Sequence, residues 1–559
     1  MCTTRLLILF VLFFLSESLF CQDLENIKNV KPFTLHGNIG LSLMAYSVNG
    51  IPERQLPFSY VLSANATASI YSIELPFSFT YSDRQRSYAQ PFNQFGLSPH
   101  WKWITIHAGY RNVTFSEYTL AGHTFLGGGV ELNPGIFRFG FVYGRFNRET
   151  TGNPGSVADT LPTFKRKGFA AKIGLGSEKN FFDLIFLRIR DDSTSLNQPD
   201  AVTQQFPAQN IVTGFNSRFT ISKKLTWETE AAISLYTNNL GSQEILDSAS
   251  SPTFYKMNDF LKVNLSSEYQ TAIKSFLQYK AKTWSIKLQY TRIDPNYNSM
   301  GAYYFRSDIE SLMLSPSFNL FKRKVFLSGS IELQRDNLRK VKKATSTRTI
   351  GKINLSLNPS SKFGFDASYS NYSTSQKAGT APVNETTRMH QSNHNLSVMP
   401  RLMFSNEKKS HMIMVAYNLA LLDDQNENTS NYNYFDSHTA QINYTLGLLE
   451  TGWSFMFGLT YLNYYTCLST NTESGGTFGL SKSFLDDKLS FNWNNSLMRS
   501  VSGDDKGWIL NSSPSANYQI TRHHSARLNI FFTGNYTDTG SINPSFNEFK
   551  GELSYVFTF

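Results

Sequence analysis

Few side chains in this 559-residue sequence stand at spacings that invite chemistry. Gly127-Gly128-Gly129 would cradle a phosphate if it opened a helix, but an alternating strand pattern runs through it and no helix pattern follows. It marks a bend or a close-packing point instead. His390 and His394 are four residues apart. On a helix they could chelate one ion; on a strand they share a face about 13 Å apart, too far to do so. His523-His524 falls in a predicted turn, and Cys467 is a lone thiol near a strand end. There is no G-x-S-x-G elbow and no cysteine pair at metal spacing. No catalytic residue, cofactor site or metal site is assigned, so the chain is read as a non-enzyme.

Charged pairs at the ends of apolar runs are the remaining candidates. Arg188 and Arg190 end one run, Arg292 and Asp294 another, and Arg335 and Asp336 a third. Charges of both signs around the mouth of a pore would form a field that selects solutes. The favoured reading is a solvated rim whose ion pairs contribute little.

The elements that must position these residues are strands. Trp284, Ile286, Leu288 and Tyr290 alternate with Ser285, Lys287 and Gln289, and Phe363, Phe365, Ala367 and Tyr369 with Asp366, Ser368 and Ser370. Period-two alternation sends the two sets to opposite faces. The polar set includes bare Lys, Glu and Asp, which a sandwich core would reject and a wet lumen accepts. Composition agrees. The chain is 40% hydrophobic yet 14% aromatic, with Phe 46 and Tyr 28, which suits a wall apolar on one face and aromatic at two membrane interfaces. The net charge, 52 − 42 = +10, is spread along the chain and favours an anionic lipid surface over nucleic acid.

Breaks between strands come in two lengths. Asn133-Pro134-Gly135, Lys223-Lys224, Pro359-Ser360-Ser361 and Asp486-Asp487 are short; Asp191–Ala208, Asn238–Tyr269 and Gln376–Met389 are long. Short and long alternate, as in a transmembrane antiparallel up-and-down β-barrel with tight periplasmic turns and longer external loops. Counting gives about 26 strands, with 24 as the neighbouring even number. Even parity requires Asn93–Pro99 to be a strand paired with Lys102–Arg111, and Phe260–Ser266 is a place where another strand would fit. At the C-terminus, Leu553, Tyr555, Phe557 and Phe559 share one face of a terminal aromatic strand. That pattern is similar to the signal by which barrel assembly machinery recognises its clients.

The N-terminus predicts a separate segment. Arg5 followed by the apolar run Leu6–Phe20 has the form of a secretory signal peptide over residues 1–21. Residues 22–32 then form a short periplasmic segment, and residues 33–559 one barrel domain. Loss of Cys2 and Cys21 with the leader leaves Cys467 without an internal disulfide partner.

Phe92–Gly128, with Phe-Asn-Gln-Phe-Gly-Leu-Ser-Pro, Arg292–Phe305, with Arg-Ile-Asp-Pro-Asn-Tyr-Asn-Ser-Met-Gly, and Pro316–Leu338 resemble segments of an outer-membrane β-barrel family from the Bacteroidota. The resemblance implies fold and location, and carries no substrate or catalytic residue. The expectation is a conduit or translocation component of the outer membrane for a large solute or macromolecule. Its expected partners are membrane lipid and lipopolysaccharide, the barrel assembly machinery and an unidentified protein. A barrel of this width would leak, and the sequence shows no plug domain, so the lumen should be filled by inward side chains and folded-in loops or by a partner. A non-transporting scaffold is the alternative, and a membrane lipase or protease is third.

Overall fold

The computed structural model describes residues 32–70, 73–83, 94–150, 162–196, 205–244, 263–302, 306–503, 505–538 and 544–559. Alternating sequence becomes a single closed antiparallel sheet of 26 strands. Each strand pairs with its neighbours in sequence. The barrel closes where Phe33–Asn49 meets Phe546–Thr558, with Leu41 opposite Tyr555 and Ser42 opposite Ser554. Gln94–Leu97 and His100–Trp101 are two halves of one wall strand, pairing with both Ile73–Ser82 and Ile104–Asn112. The strand required by parity is therefore present, although the turn sits at Lys102-Trp103 and His100-Trp101 belongs to the strand. Residues 263–266 add no wall strand; Val263 is instead fully buried against Ile211 and Leu235. The predicted leader and all but Pro32 of the segment that follows lie outside the described residues.

The outer face is apolar and open. Leu459 is 68% exposed, Leu497 47% and Leu553 48%. Exposed Trp227, Trp284 and Tyr518 lie toward the rim that carries the chain termini, and exposed Tyr290, Trp508 and Tyr536 toward the opposite, loop-bearing rim. Two aromatic girdles around an apolar band are what a bilayer selects on a barrel. No described helix is long and apolar enough to cross a membrane.

Short turns hold the terminal rim. In Leu485-Asp486-Asp487 all three residues have left-handed backbone, with φ of 55°, 53° and 64°. The loop rim is not uniform, which corrects the simple long-and-short alternation. The connections at 113–123 and 294–308 are long, whereas 467–469 and 503–504 are as short as the turns opposite. Gly503, at φ 58°, closes the tightest of these.

Candidate functional site

The lumen has two unlike halves, and the difference starts in the strands. Phe181–Asp191 is apolar on both faces: Phe182 and Leu184 are exposed outward, while Ile185, Leu187 and Ile189 are buried inward. An inward apolar row facing water would be costly, so something must cover it. The cover is loop 113–123 together with residues 294–302 of a second loop. Val113, Phe115, Tyr118 and Leu120 of the first, and Tyr297 and Met300 of the second, form one buried cluster with Phe125, Val142, Ile185 and Leu187 of the wall. Leu120-Ala121 pairs with Gly301-Ala302 as a two-stranded parallel sheet inside the barrel.

Hydrogen bonds fix this clasp. The Tyr297 hydroxyl donates to the Tyr118 carbonyl (2.6 Å) and the Ser299 hydroxyl to the Thr119 carbonyl (2.5 Å). The Met300 N–H donates to Asn210 Oδ1 (2.9 Å), and the Tyr118 N–H to Glu230 Oε1 (2.9 Å). Asn210 and Glu230 are wall residues, so the clasp is tied to the barrel as well as to itself. Gly301 is required here: a Cβ on it would stand 2.4 Å from Leu187 Cδ1 and 2.5 Å from the Thr119 carbonyl. The Gly127-Gly128-Gly129 run is a close-packing point: a Cβ on Gly127 would meet the Tyr143 carbonyl at 2.0 Å, and one on Gly129 would meet Val142 at 2.6 Å.

Several charges on the plugged side are paired. Asp183, 2% exposed, accepts two hydrogen bonds from Arg138, at 2.7 and 2.9 Å. Arg166 binds Asp191 in the same bidentate way. Buried Lys172 lies 3.2 Å from Glu131 and over the ring of Phe115, and His107 Nε2 is 3.3 Å from the other Glu131 oxygen. At the loop rim, Asp308 accepts the N–H groups of Asn337 (3.0 Å) and Leu338 (2.9 Å) and pairs with Lys342. Burial pushes its carboxyl up, but the Lys342 ammonium and the two N–H groups outweigh this and leave it below the usual range. His123, at the end of loop 113–123, packs against Phe146, with ring centroids 5.4 Å apart. Burial pushes its imidazole down to about 4, against the opposing pull of the Thr124 carbonyl.

Between the clasp and the wall is a recess of about 550 Å³, with apolar and charged side chains in its lining. Glu117, Lys274, Arg306, Glu332 and Gln334 line it. Lys274 Nζ is 2.7 Å from Glu117, and Arg306 donates to Gln334 (2.9 Å).

The opposite half has no such cover among the described residues. The inward face of Phe435–Leu448 carries Ser437, Thr439, Gln441 and Asn443, and that of Asp505–Gln519 carries Asn511, Ser513 and Ser515. Arg401 pairs there with Asp366. These are short, uncharged or paired hydrophilic groups that keep a passage wet.

The sequence-predicted rim arginines do not line the lumen. Arg188 and Arg190 alternate with buried Leu187 and Ile189, so they face outward. Arg292 shares the outward face with Tyr290, and Arg335 joins it through Glu310, which also accepts from the Tyr290 hydroxyl (2.8 Å). Asp294 accepts from the Thr271 N–H (2.9 Å) and hydroxyl (2.6 Å). Asp336 accepts from the Ser346 N–H (2.7 Å) and lies 3.6 Å from Arg348. Leu553, Tyr555 and Phe557 face outward, and Phe559 exchanges two 3.0 Å backbone bonds with Gly37. His394 lies on a strand, 2.8 Å from the Tyr369 hydroxyl, and His524 pairs with Tyr555.

Folded-in loops are what the sequence leads one to expect; which segments supply them is not read from it. The clasp's signal was apolar content inside loops that should be polar, together with a wall strand apolar on both faces.

No family model and no curated protein matches the chain. Among solved structures it is similar to the P pilus usher PapC translocation pore, at 10% identity and TM-score 0.39, over 94% of this chain and 99% of that one. It is also similar to the FrpB iron transporter of Neisseria meningitidis, at 10% identity and TM-score 0.38, over 94% and 81%. OccAB2 of Acinetobacter baumannii matches at 9% identity and TM-score 0.32, over 68% and 97%. Values this low carry no argument about what passes through the barrel.

Proposed function

We propose that this protein is a non-enzymatic conduit of the Gram-negative outer membrane for a large hydrophilic solute or macromolecule, acting with a partner protein. In this reading the terminal rim faces the periplasm and the loop rim the exterior, as the short turns and the aromatic girdles suggest. One observation carries the reading: a wall of Ser, Thr, Asn and Gln that no described loop covers stands opposite a wall sealed by the protein's own loops. A scaffold has no need of a wet half-lumen, whereas a conduit does. The sealed half narrows an otherwise leaky bore to a crescent, and the recess at Glu117, Lys274, Arg306 and Glu332 borders that crescent with groups that grip polar cargo.

Planar-bilayer conductance of the purified barrel, with and without proteins that co-purify in mild detergent, tests this. The expected result is a stable small conductance that changes when a partner is added. A barrel closed under every condition that purifies alone would refute it. Stoichiometric partners with no transport defect on deletion would select the scaffold.

A further inference from the structure

We propose that the outer wall carries a lipid site between Trp453–Thr466, Thr470–Phe484 and Leu489–Ser502, which takes an acyl chain of a phosphorylated lipid and sets its phosphate against Arg499. The inference rests on the membrane placement above. Gly476 is an outward position between Leu459 on one side and Leu497 on the other. Nearer the terminal rim, Phe457, Phe478 and Trp493 fill the same face with rings. At Gly476 the wall has no side chain, and a Cβ built there meets only the Gly458 carbonyl, at 3.6 Å. The resulting groove is about 650 Å³, the size of a small-molecule site, and its lining is mostly apolar.

The groove leads toward the loop rim past Ser474, which stands between Tyr461 and Arg499. Arg499 closes its upper end. Its guanidinium lies 5.2 Å from the Trp508 ring centroid and 3.8 Å from the exposed carboxylate of Asp538. A cation on the lipid-facing wall is costly unless it meets an anion near headgroup depth. Arg499 lies three residues short of the strand end, where such headgroups sit. Apolar floor, aromatic side and cationic cap together match one occupant: a lipid whose chain fills the notch and whose phosphate reaches the guanidinium. Charge complementarity extends around the rim, because Arg188, Arg190, Arg292 and Arg335 also face outward at this end. The arginines that seemed placed to select solutes are better placed to hold the surrounding leaflet.

The test uses the full-length barrel, delipidated and reconstituted with diphosphorylated lipid A, its dephosphorylated form or phosphatidylcholine. Retained lipid is counted by native mass spectrometry, and flotation with vesicles separately reports membrane insertion. Wild type should retain diphosphorylated lipid A at least about tenfold better than the other two, the discrimination a charge-assisted hydrogen bond provides. Gly476→Leu, which fills the notch, and Arg499→Gln, which removes the cation, should each lose that preference. Heat-modifiable migration checks that both variants fold. Equal retention by Gly476→Leu, or equal retention of the dephosphorylated lipid by wild type, overturns the proposal. So does a photo-crosslink from position 459 to a second copy of the chain instead of lipid. Failure of wild type to float with vesicles would overturn the membrane placement and the lipid site with it.

Discussion

Leu120→Ala tests whether the clasp limits the passage. Leu120 is fully buried at the centre of the inner cluster, in the two-residue strand that pairs with Gly301-Ala302. Truncating a buried leucine costs about 2–5 kcal/mol, because transfer energy is lost and a cavity remains. Nearly all of that cost falls on the docked state, since an undocked loop exposes Leu120 to water in both proteins. At about 1.4 kcal/mol per tenfold, the docked-to-undocked ratio should fall roughly 30- to 5,000-fold. Single-channel recording in planar bilayers should then show the small wild-type conductance interrupted by larger openings, far more frequent in the variant. A locked form supplies the opposite arm. Ala121 and Ala302 are directly paired, so Ala121→Cys/Ala302→Cys in a Cys467→Ser background can bridge them. Oxidation should abolish the large openings and reduction restore them. If Leu120→Ala folds and its conductance trace equals wild type, the clasp does not limit the passage and the reasoning fails.

Other outcomes follow from the same contacts. His123 has an ordinary value of 6.5 and is held near 4 when the loop is docked, so protons bind the undocked loop first. Docking is therefore strongest above pH 6.5 and weakens as pH falls toward 4, by on the order of 3 kcal/mol, raising the frequency of large openings; His123→Gln should flatten that acidic limb. Asp183→Ala strands the buried end of Arg138 and should lower stability by about 3–5 kcal/mol, seen as a lower thermal midpoint in detergent. Phe559→Ala should reduce the folded barrel recovered from cell membranes while leaving detergent refolding intact, the separation expected of an assembly signal; equal loss in both would mean a structural role for the ring.

How much of this was legible in the sequence follows from burial. Period-two alternation survives wherever one face meets lipid and the other meets water, so Trp284–Tyr290 and Phe363–Ser370 are readable residue by residue, whereas the polar end of the second strand, Gln376–Ala378, reads as loop. Parity places a strand at 93–99, and the structure has it as Gln94–Leu97 and His100–Trp101. The clasp was hidden for the opposite reason. In Phe181–Asp191 both faces are apolar, which signals two-sided burial but not what does the burying. Its cover comes from Tyr118 and Tyr297, which are 179 residues apart, and no local pattern links them. The sequence puts the rim arginines at strand ends but does not say which face they take, because strand ends reveal depth more readily than face. Arg188 needed only its parity against Leu187 and Ile189 to be turned outward.

The two-sided burial also constrains how the passage works. If the clasp left entirely, Ile185, Leu187, Phe125 and Val142 would all face water, and the loss would far exceed that of Leu120 alone. The clasp is accordingly docked nearly all the time in the wild type, and full undocking is rare. Its weaker half is 294–308, which reaches the barrel through hydrogen bonds to Asn210 and Ser234 and is anchored at its far end by Asp308. A partner that competes for those bonds would widen the crescent while loop 113–123 stays docked, at the cost of the Gly301 cover over Leu187. Asn210→Ala, which removes the acceptor for the Met300 N–H, should mimic such a partner and raise conductance in small steps, whereas Leu120→Ala should produce the large ones.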